Sequence, residues 1–243
     1  MNKNNSYFTN RKSALLKEKQ RNNLELIINQ KEAKLLKTNI PIQKIIGFVC
    51  MQNLQLKINK KVLIPRYETE ELILQAYKYI NGQSTVLDLG CGSGFIGLAI
   101  AKNTKAKQVV LSDIDSQAIL QSKINAKLNK LKVKIIQSDL FDNLKKYKFD
   151  VIICNPPYLD FEKSKLDSSV LDYEPWNALF AKQKGNYFYQ KILKQYKSFL
   201  KPKGVILFEI DQTNLEFFNK YYPEFKLIYD INNKVRIAVY ESE

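Results

Sequence analysis

Between residues 86 and 210 short apolar runs alternate with longer segments of helical spacing: "VLDLG", "FIGLAIAKN", "QVVLSDI", "SQAILQSKINAKL", "VKIIQSD", "FDVIICN", "YFYQKILKQYKSFL" and "GVILFEI". Consecutive strands separated by a helix can pair in parallel only if the helix crosses one face of the sheet, so the repeated alternation predicts a doubly wound α/β architecture covered on both faces. The tail breaks the pattern. After the helical "NLEFFNKYY", the segments "FKLIYDI" and "KVRIAVYE" are joined by a turn-like "NN", which predicts an antiparallel strand pair closing one edge. Ahead of the sheet, Leu15, Leu16, Leu24, Ile27, Ile28, Leu35 and Leu36 are spaced as on helical faces and predict one or two short helices. Short apolar segments between Ile45 and Ile64, split by "QN" and "NKK", predict a hairpin that ends at Pro65, and "TEELILQAYKYI" predicts a helix from about Thr69 that stops near Gly82.

In such a sheet ligands bind beyond the carboxyl ends of the strands, where strand order reverses. The first strand ends in "VLDLGCGSGFIG". Gly90, Gly92 and Gly94 permit a tight turn and close approach of a ligand to the backbone, and Asp113 closes the second strand about 20 residues on, where a carboxylate can accept from both hydroxyls of a ribose. Gly92, Gly94 and Gly97 also satisfy the dinucleotide fingerprint GxGxxG. Asp88, just ahead of the loop, would repel a pyrophosphate, so the loop suits a cationic, phosphate-free ligand. S-adenosyl-L-methionine, with a sulfonium and an ammonium, is of that kind.

A second corner follows the strand in "VIICNPPYLD". Pro156 and Pro157 have no backbone N–H, so next to Asn155 and Tyr158 the backbone offers only acceptors and is stiff in φ, as a site for holding a donor requires. The 243 residues include no histidine, which excludes Ser-His-Asp and Cys-His catalysis, HExxH zinc chemistry and imidazole bases together. Three cysteines far apart in sequence, Cys50, Cys91 and Cys154, form no CxxC pair and indicate neither a disulfide framework nor a zinc site. The formal net charge of +15 favours polyanionic partners, although the lysines are scattered rather than clustered. With no apolar run long enough to span a bilayer and a polar N-terminus, the expectation is a cytoplasmic protein without membrane attachment, an organellar setting being left open.

Together these segments resemble the class I methyltransferases, and specifically the glutamine-N5 methyltransferases of the PrmC/HemK type that modify peptide chain release factors. "IPIQKIIG" (residues 40–47) is similar to the family's segment before its hairpin, and "VLIPRYETEELI" to its PRPETE signature, with Tyr67 where proline is usual. "DLGCGSGFIGLAIA", "SDLF", "NPPY", "EPWNAL", "FEI" and "VRI" follow in the family's order. The resemblance implies a Rossmann-like methyltransferase domain over residues 69–243, preceded by a short helical segment (1–42) and a hairpin linker (43–68). It implies that Asp88, Leu89, Gly90, Cys91 and Gly92 surround the methionine part of S-adenosyl-L-methionine, that Asp113 holds its ribose, and that Asp139 and Phe141 meet its adenine. Asn155 would stand between cofactor and acceptor, and Asn155 with Pro156 would fix the acceptor glutamine, with Pro157 shaping the corner and Tyr158 packed on the flat amide. Arg66, Glu68 and Glu70 would support a lid. Plainer readings exist for several of these: core filling for Phe141, a loop cap for Asp139, a surface ion-pair cluster at a helix start for Arg66, Glu68 and Glu70, an anchor for Trp176 in a long loop, and small fillers for Cys91 and Cys154. Fewer residues precede the hairpin than is usual in the family, so the helical segment that helps grip the release factor is expected to be abbreviated.

An amide nitrogen is a poor nucleophile because its lone pair is delocalised, so positioning must supply the rate. If the Asn155 side-chain oxygen and the Pro156 carbonyl each accept one N–H, the nitrogen is fixed with its free face toward the methyl group. Any flat NH2 satisfies the same clamp. The expected activity is therefore methyl transfer to the GGQ glutamine of release factors, beside alternatives of a ribosomal-protein glutamine, adenine N6 or guanine N2 of a nucleic acid, and a non-catalytic binder that keeps the fold. The expected partners are release factors, with ribosome or RNA association from the positive charge and a monomeric protein.

Overall fold

The computed structural model describes residues 3–164, 166–230 and 232–243. Helices α1 (Lys3–Arg21), α2 (Gln30–Leu35) and α3 (Ile42–Ile46) lead into the hairpin β1 (Phe48–Met51) and β2 (Leu54–Lys57). The α/β part follows as α4 (Thr69–Tyr77), β3 (Thr85–Leu89), α5 (Phe95–Asn103), β4 (Gln108–Asp113), α6 (Ser116–Leu128), β5 (Lys134–Gln137), β6 (Phe149–Cys154), α7 (Ser168–Tyr173), α8 (Tyr187–Leu193), β7 (Leu200–Glu209), α9 (Leu215–Tyr221), β8 (Lys226–Tyr229) and β9 (Val235–Glu241).

Seven strands form one sheet in the order β5-β4-β3-β6-β7-β9-β8. Strands β5, β4, β3, β6 and β7 run parallel to one another, and β9 runs antiparallel to both β7 and β8. The doubly wound sheet with an antiparallel C-terminal pair is therefore the fold the sequence predicts. Successive residues of β3 feed opposite cores, as the pleat demands. Val86 joins Leu111, Val151, Ile153 and Leu207 beneath α4, α5 and the hairpin, whereas Leu87 joins Val110, Ile152 and Phe208 under the aromatic-rich α8 and α9.

The hairpin turns at Gln52 and Asn53, both at positive φ (49° and 59°), the conformation a two-residue turn needs to match strand twist. Its alternation buries Leu54 and Leu56 and exposes Gln55 and Lys57. Buried polar groups of α6 then fasten it: Asn125 Oδ1 accepts from Lys57 N at 2.8 Å and Gln121 Oε1 from Lys60 N at 2.8 Å.

Three elements differ from expectation. Helix α1 is a single 19-residue helix starting well before Leu15, held where Arg11 donates to the Leu36 carbonyl at 3.2 Å and the Ile40 carbonyl at 2.5 Å. The stretch after "NPPY", read as loop, contains α7, whose N-cap Asp167 accepts from Ser169 N at 2.8 Å. Strand β7 begins at Leu200 rather than near Gly204, because Leu200 pairs with Phe149 and Val205 with Val151, so the intervening "KPKG" bulges out of the ladder.

Candidate active site

Strand order reverses between β3 and β6. From β3 the chain winds outward to β4 and β5, then returns to lay β6 on the other side. The last residues of these neighbours, Leu89 and Cys154, face each other in register, so the glycine loop and the "NPPY" corner leave the sheet side by side. A cavity of ≈ 380 Å³ opens there, walled by residues 89–93, 112–115, 138–140 and 154–157, and by Pro65, Arg66 and Thr69 from the segment after the hairpin.

The loop's shape is set by Gly90, Gly92 and Gly94, with φ of 79°, 53° and 84°. A Cβ on Gly90 or Gly92 would meet nothing within 4 Å, so this face of the loop is open for close approach. Underneath, the loop is tied by side chains of α6: Ser122 Oγ donates to the Gly92 carbonyl at 3.1 Å and Asn125 Nδ2 to the Ser93 carbonyl at 2.9 Å. Asp113 accepts from Gly92 N through Oδ2 and from Asp115 N through Oδ1, both at 2.9 Å, which brings the end of β4 against the loop. Burial pushes its carboxyl up from the ordinary value, partly opposed by those N–H groups.

Asp88 lies under the loop, fully buried, and is not part of the cavity wall. Its Oδ2 accepts from Gly97 N at 2.7 Å and its Oδ1 has no hydrogen-bond partner among the described residues. Burial pushes this carboxyl up to about 7, and the charge of Asp113 adds to the effect. Gly97 is required for packing, since a Cβ there would lie 2.6 Å from Leu111 Cδ1.

Asn155 and Pro157 line the cavity together with Pro156. Asn155 Nδ2 lies 3.2 Å from Thr69 Oγ1, the first residue of α4, which leaves Oδ1 as its free acceptor. Tyr158 is placed differently from the expected stacking position. It stands outside the wall, and its hydroxyl donates to Glu209 Oε1 at 3.2 Å. Burial and the neighbouring carboxylate raise the Tyr158 phenol well above its ordinary value, so it remains a donor. Behind it Gly185, at φ 85°, leaves room for the Tyr158 carbonyl; a Cβ there would sit 2.0 Å from that oxygen.

Of the expected lid group, Arg66 alone reaches the cavity. Its guanidinium bonds Glu174 Oε1 at 2.6 Å, and Glu174 Oε2 accepts from Ile64 N at 3.0 Å. The fully buried Glu174 thus joins the segment before α4 to the loop after "NPPY". Glu70 accepts from Gln52 Nε2 at 2.9 Å, and exposed Glu68 precedes the first turn of α4. Tyr67 turns back to α1, where its ring lies under Arg21 at 4.8 Å and its hydroxyl donates to Glu18 at 3.3 Å.

Asp139 is exposed at the cavity lip. Phe141 is placed in the core, 1% exposed and stacked on Phe199 at 4.3 Å, away from the cavity wall. Leu140 takes the wall position instead, because its φ of 44° turns the chain there. Ile114, 59% exposed at the end of β4, is a second apolar wall residue that sequence reasoning missed, although an isoleucine following a strand-ending carboxylate was a usable signal. Glu209, Thr69 and Glu174 were missed as site residues too. Cys91 and Cys154 are buried beside the cavity, with thiols pushed well above their ordinary value by burial, which makes them packing groups rather than nucleophiles.

Residues 69–171 match the family model described as the methyltransferase small domain. The chain is 39% identical over 188 residues to a release factor glutamine methyltransferase of Lactococcus lactis, an alignment covering 76% of this chain and 69% of the relative. It is 36% identical over 218 residues to a protein of the same description from Francisella tularensis, covering 86% and 76%. Among solved structures, a methyltransferase from Pyrococcus furiosus shares the fold at a TM-score of 0.61 and 15% identity, over 96% of this chain and 98% of that one. A glycine loop and an acceptor-only corner meeting at the switch point, in a chain so similar to these relatives along most of its length, place it in one family: the chain belongs to the release factor glutamine methyltransferases.

Proposed function

We propose that this chain transfers the methyl group of S-adenosyl-L-methionine to the side-chain amide nitrogen (N5) of the glutamine in the GGQ motif of peptide chain release factors. The observation that carries the reading is Asn155 at the cavity, its Nδ2 engaged by Thr69 and its Oδ1 free to accept from a substrate N–H. The site's donor set suits the cofactor. Gly90 and Gly92 present a floor that no side chain fills, and the buried Asp88 Oδ1 beneath it lacks a partner, an arrangement favourable to a cation and unfavourable to a phosphate. Residues 89–92 would hold the methionine part, Asp113 the ribose hydroxyls, and Ile114 and Leu140 the faces of the adenine, with Asp139 at its edge. When bound, the cofactor supplies a methyl group on a positively charged sulfur.

The chain's own residues do the rest. Asn155 Oδ1 and the Pro156 carbonyl accept the two N–H groups of the substrate amide, orienting its nitrogen and stabilising the positive charge that grows on it. No imidazole is needed, since a methylated amide nitrogen is acidic and releases its proton readily. Pro65, Arg66 and Thr69, tied through Glu174 to the loop after "NPPY", close the cavity against water. In this reading residues 69–243 are the catalytic domain, the hairpin region 43–68 supports its lid, and residues 1–42 contact the release factor. The protein works as a cytoplasmic monomer, and its charge of +15 favours association with the ribosome or RNA near its substrate.

The test is a panel of acceptors with methyl-labelled cofactor. Label is expected in a release factor and absent when its GGQ glutamine is replaced. Label in RNA or DNA alone would overturn the assignment.

A further inference from the structure

We propose that Tyr67 is a positioning residue through which helix α1 holds the lid of the cavity in place, so that the N-terminal helix helps to retain the cofactor; the inference rests on the cofactor site proposed above. Pro65, Arg66 and Thr69 line the cavity, whereas Tyr67 between them does not, and none of the described residues of α1 does. The Thr69 N–H donates to the Arg66 carbonyl at 3.3 Å, which makes residues 66–69 a tight turn with Tyr67 at its second position. That is the place in a turn where the fixed φ of proline fits best. A tyrosine there gives up this local stiffness, and the lid needs another source of it.

The side chain supplies it. Tyr67 turns away from the cavity, its hydroxyl 3.3 Å from Glu18 Oε1 and 3.5 Å from Oε2, while the Arg21 guanidinium sits over its ring at 4.8 Å from the centroid. A phenol donating to a carboxylate and a cation over an aromatic face are each favourable, and here one turn of α1 provides both partners. Glu18 is itself fixed. It is 5% exposed and accepts from Asn22 Nδ2 at 3.3 Å, and Asn22 Oδ1 in turn accepts from Cys50 N of β1 at 2.8 Å. The anchor therefore runs without a break from the hairpin through the end of α1 to the lid.

From the acceptor side the lid is held by Glu174, whose two oxygens accept from Arg66 at 2.6 Å and from Ile64 N at 3.0 Å. Loss of the α1 hold would leave it tied on that side alone. A lid that is open part of the time lowers the apparent cofactor affinity by the fraction of time it is closed, and bound cofactor draws it shut again. Arg21 allows a test from a distance. Its side chain is 60% exposed and is not part of the cavity wall, so apart from its charge its removal reaches the cofactor through Tyr67. The direct charge effect has the opposite sign, because S-adenosyl-L-methionine is a net cation and loss of a remote cation would strengthen its binding.

The experiment compares Tyr67→Ala, Tyr67→Phe, Arg21→Ala and the Tyr67→Ala/Arg21→Ala pair. It measures cofactor affinity by calorimetry, kcat and the KM for cofactor with a release factor as acceptor, and the denaturant midpoint. Tyr67→Ala should weaken cofactor affinity by about fivefold or more and raise KM in step, with kcat at saturating cofactor held within about twofold. Tyr67→Phe, which keeps the ring under Arg21, should recover most of the loss. Arg21→Ala should weaken affinity by about twofold to threefold. The pair should be no weaker than Tyr67→Ala, since the cation then has no ring to hold. The proposal fails if Tyr67→Ala lowers the midpoint alone, if Tyr67→Phe is as weak as Tyr67→Ala, if Arg21→Ala leaves affinity unchanged or stronger, or if the two losses multiply. Should Tyr67→Ala not fold, Arg21→Ala decides by itself between weakened and unweakened affinity. A wild type that binds no cofactor would overturn the functional reading, whereas equal binding by wild type and variants would overturn this inference alone.

Discussion

Asn155 concentrates the chemistry of the corner in one oxygen atom. Replacing it with alanine removes an acceptor used when charge develops on the substrate nitrogen, and removing one such preorganised group typically costs on the order of 10²–10³ in rate. Asn155→Ala should therefore lose turnover by about that factor while calorimetry shows nearly unchanged cofactor affinity; weakened cofactor binding with normal turnover would refute the role. Asn155, Pro156 and the glycines could be recognised from the chain alone because their chemistry is local: a missing N–H or a missing Cβ has the same consequence in any fold. Phe141 and Leu140 show where that stops. Both are apolar in the same "SDLF", and only the positive φ at Leu140 decides that the leucine meets the cavity and the phenylalanine the core. Glu209 was out of reach for a different reason, since the hydroxyl that meets it, that of Tyr158, lies 51 residues earlier in the chain.

Helix α6 shows how an element can serve two others. Its Gln121, Ser122 and Asn125 are fully buried, and they bond the hairpin backbone on one side and the glycine loop on the other. Asn125 alone accepts from Lys57 N at 2.8 Å and donates to the Lys57 and Ser93 carbonyls at 3.1 and 2.9 Å. Asn125→Ala leaves these backbone groups unpaired, so a loss of about 2–4 kcal/mol in stability is expected from denaturant unfolding. Because Ser93 belongs to the loop, cofactor affinity should fall in the same variant; a destabilised protein with unchanged affinity would show that the loop needs no such support. Periodicity identified "SQAILQSKINAKL" as a helix without revealing that a polar stripe faces inward, for a buried asparagine is distinguishable from an exposed one only by what it touches. The Arg66–Glu174 pair is alike in this respect: each residue sits in a visible motif, and their contact joins segments 108 residues apart.

For the molecule as a whole, the absence of histidine leaves the pH range 5–8 to buried carboxyls. Asp88 and Glu209 are pushed up to about 7 by burial, from ordinary values of 3.8 and 4.5. Between the ordinary and the raised values the folded protein holds protons that the unfolded chain releases, so the contribution is fully present at low pH and is lost as pH rises through about 7. The denaturation midpoint should accordingly fall from pH 5 to pH 8, and Glu209→Gln should flatten the fall; a midpoint that rises over this range would contradict it. Alternation of strand and helix was enough to establish the doubly wound sheet, the antiparallel edge and the two corners at strand ends, because pleat, helical period and proline chemistry act between near neighbours in the chain. Folding in three dimensions decided the rest: which apolar residue lines the cavity, which polar face is buried, and which acids are left in the core. Those outcomes depend on burial and on partners brought together from distant segments, and neither quantity exists until the chain has closed on itself.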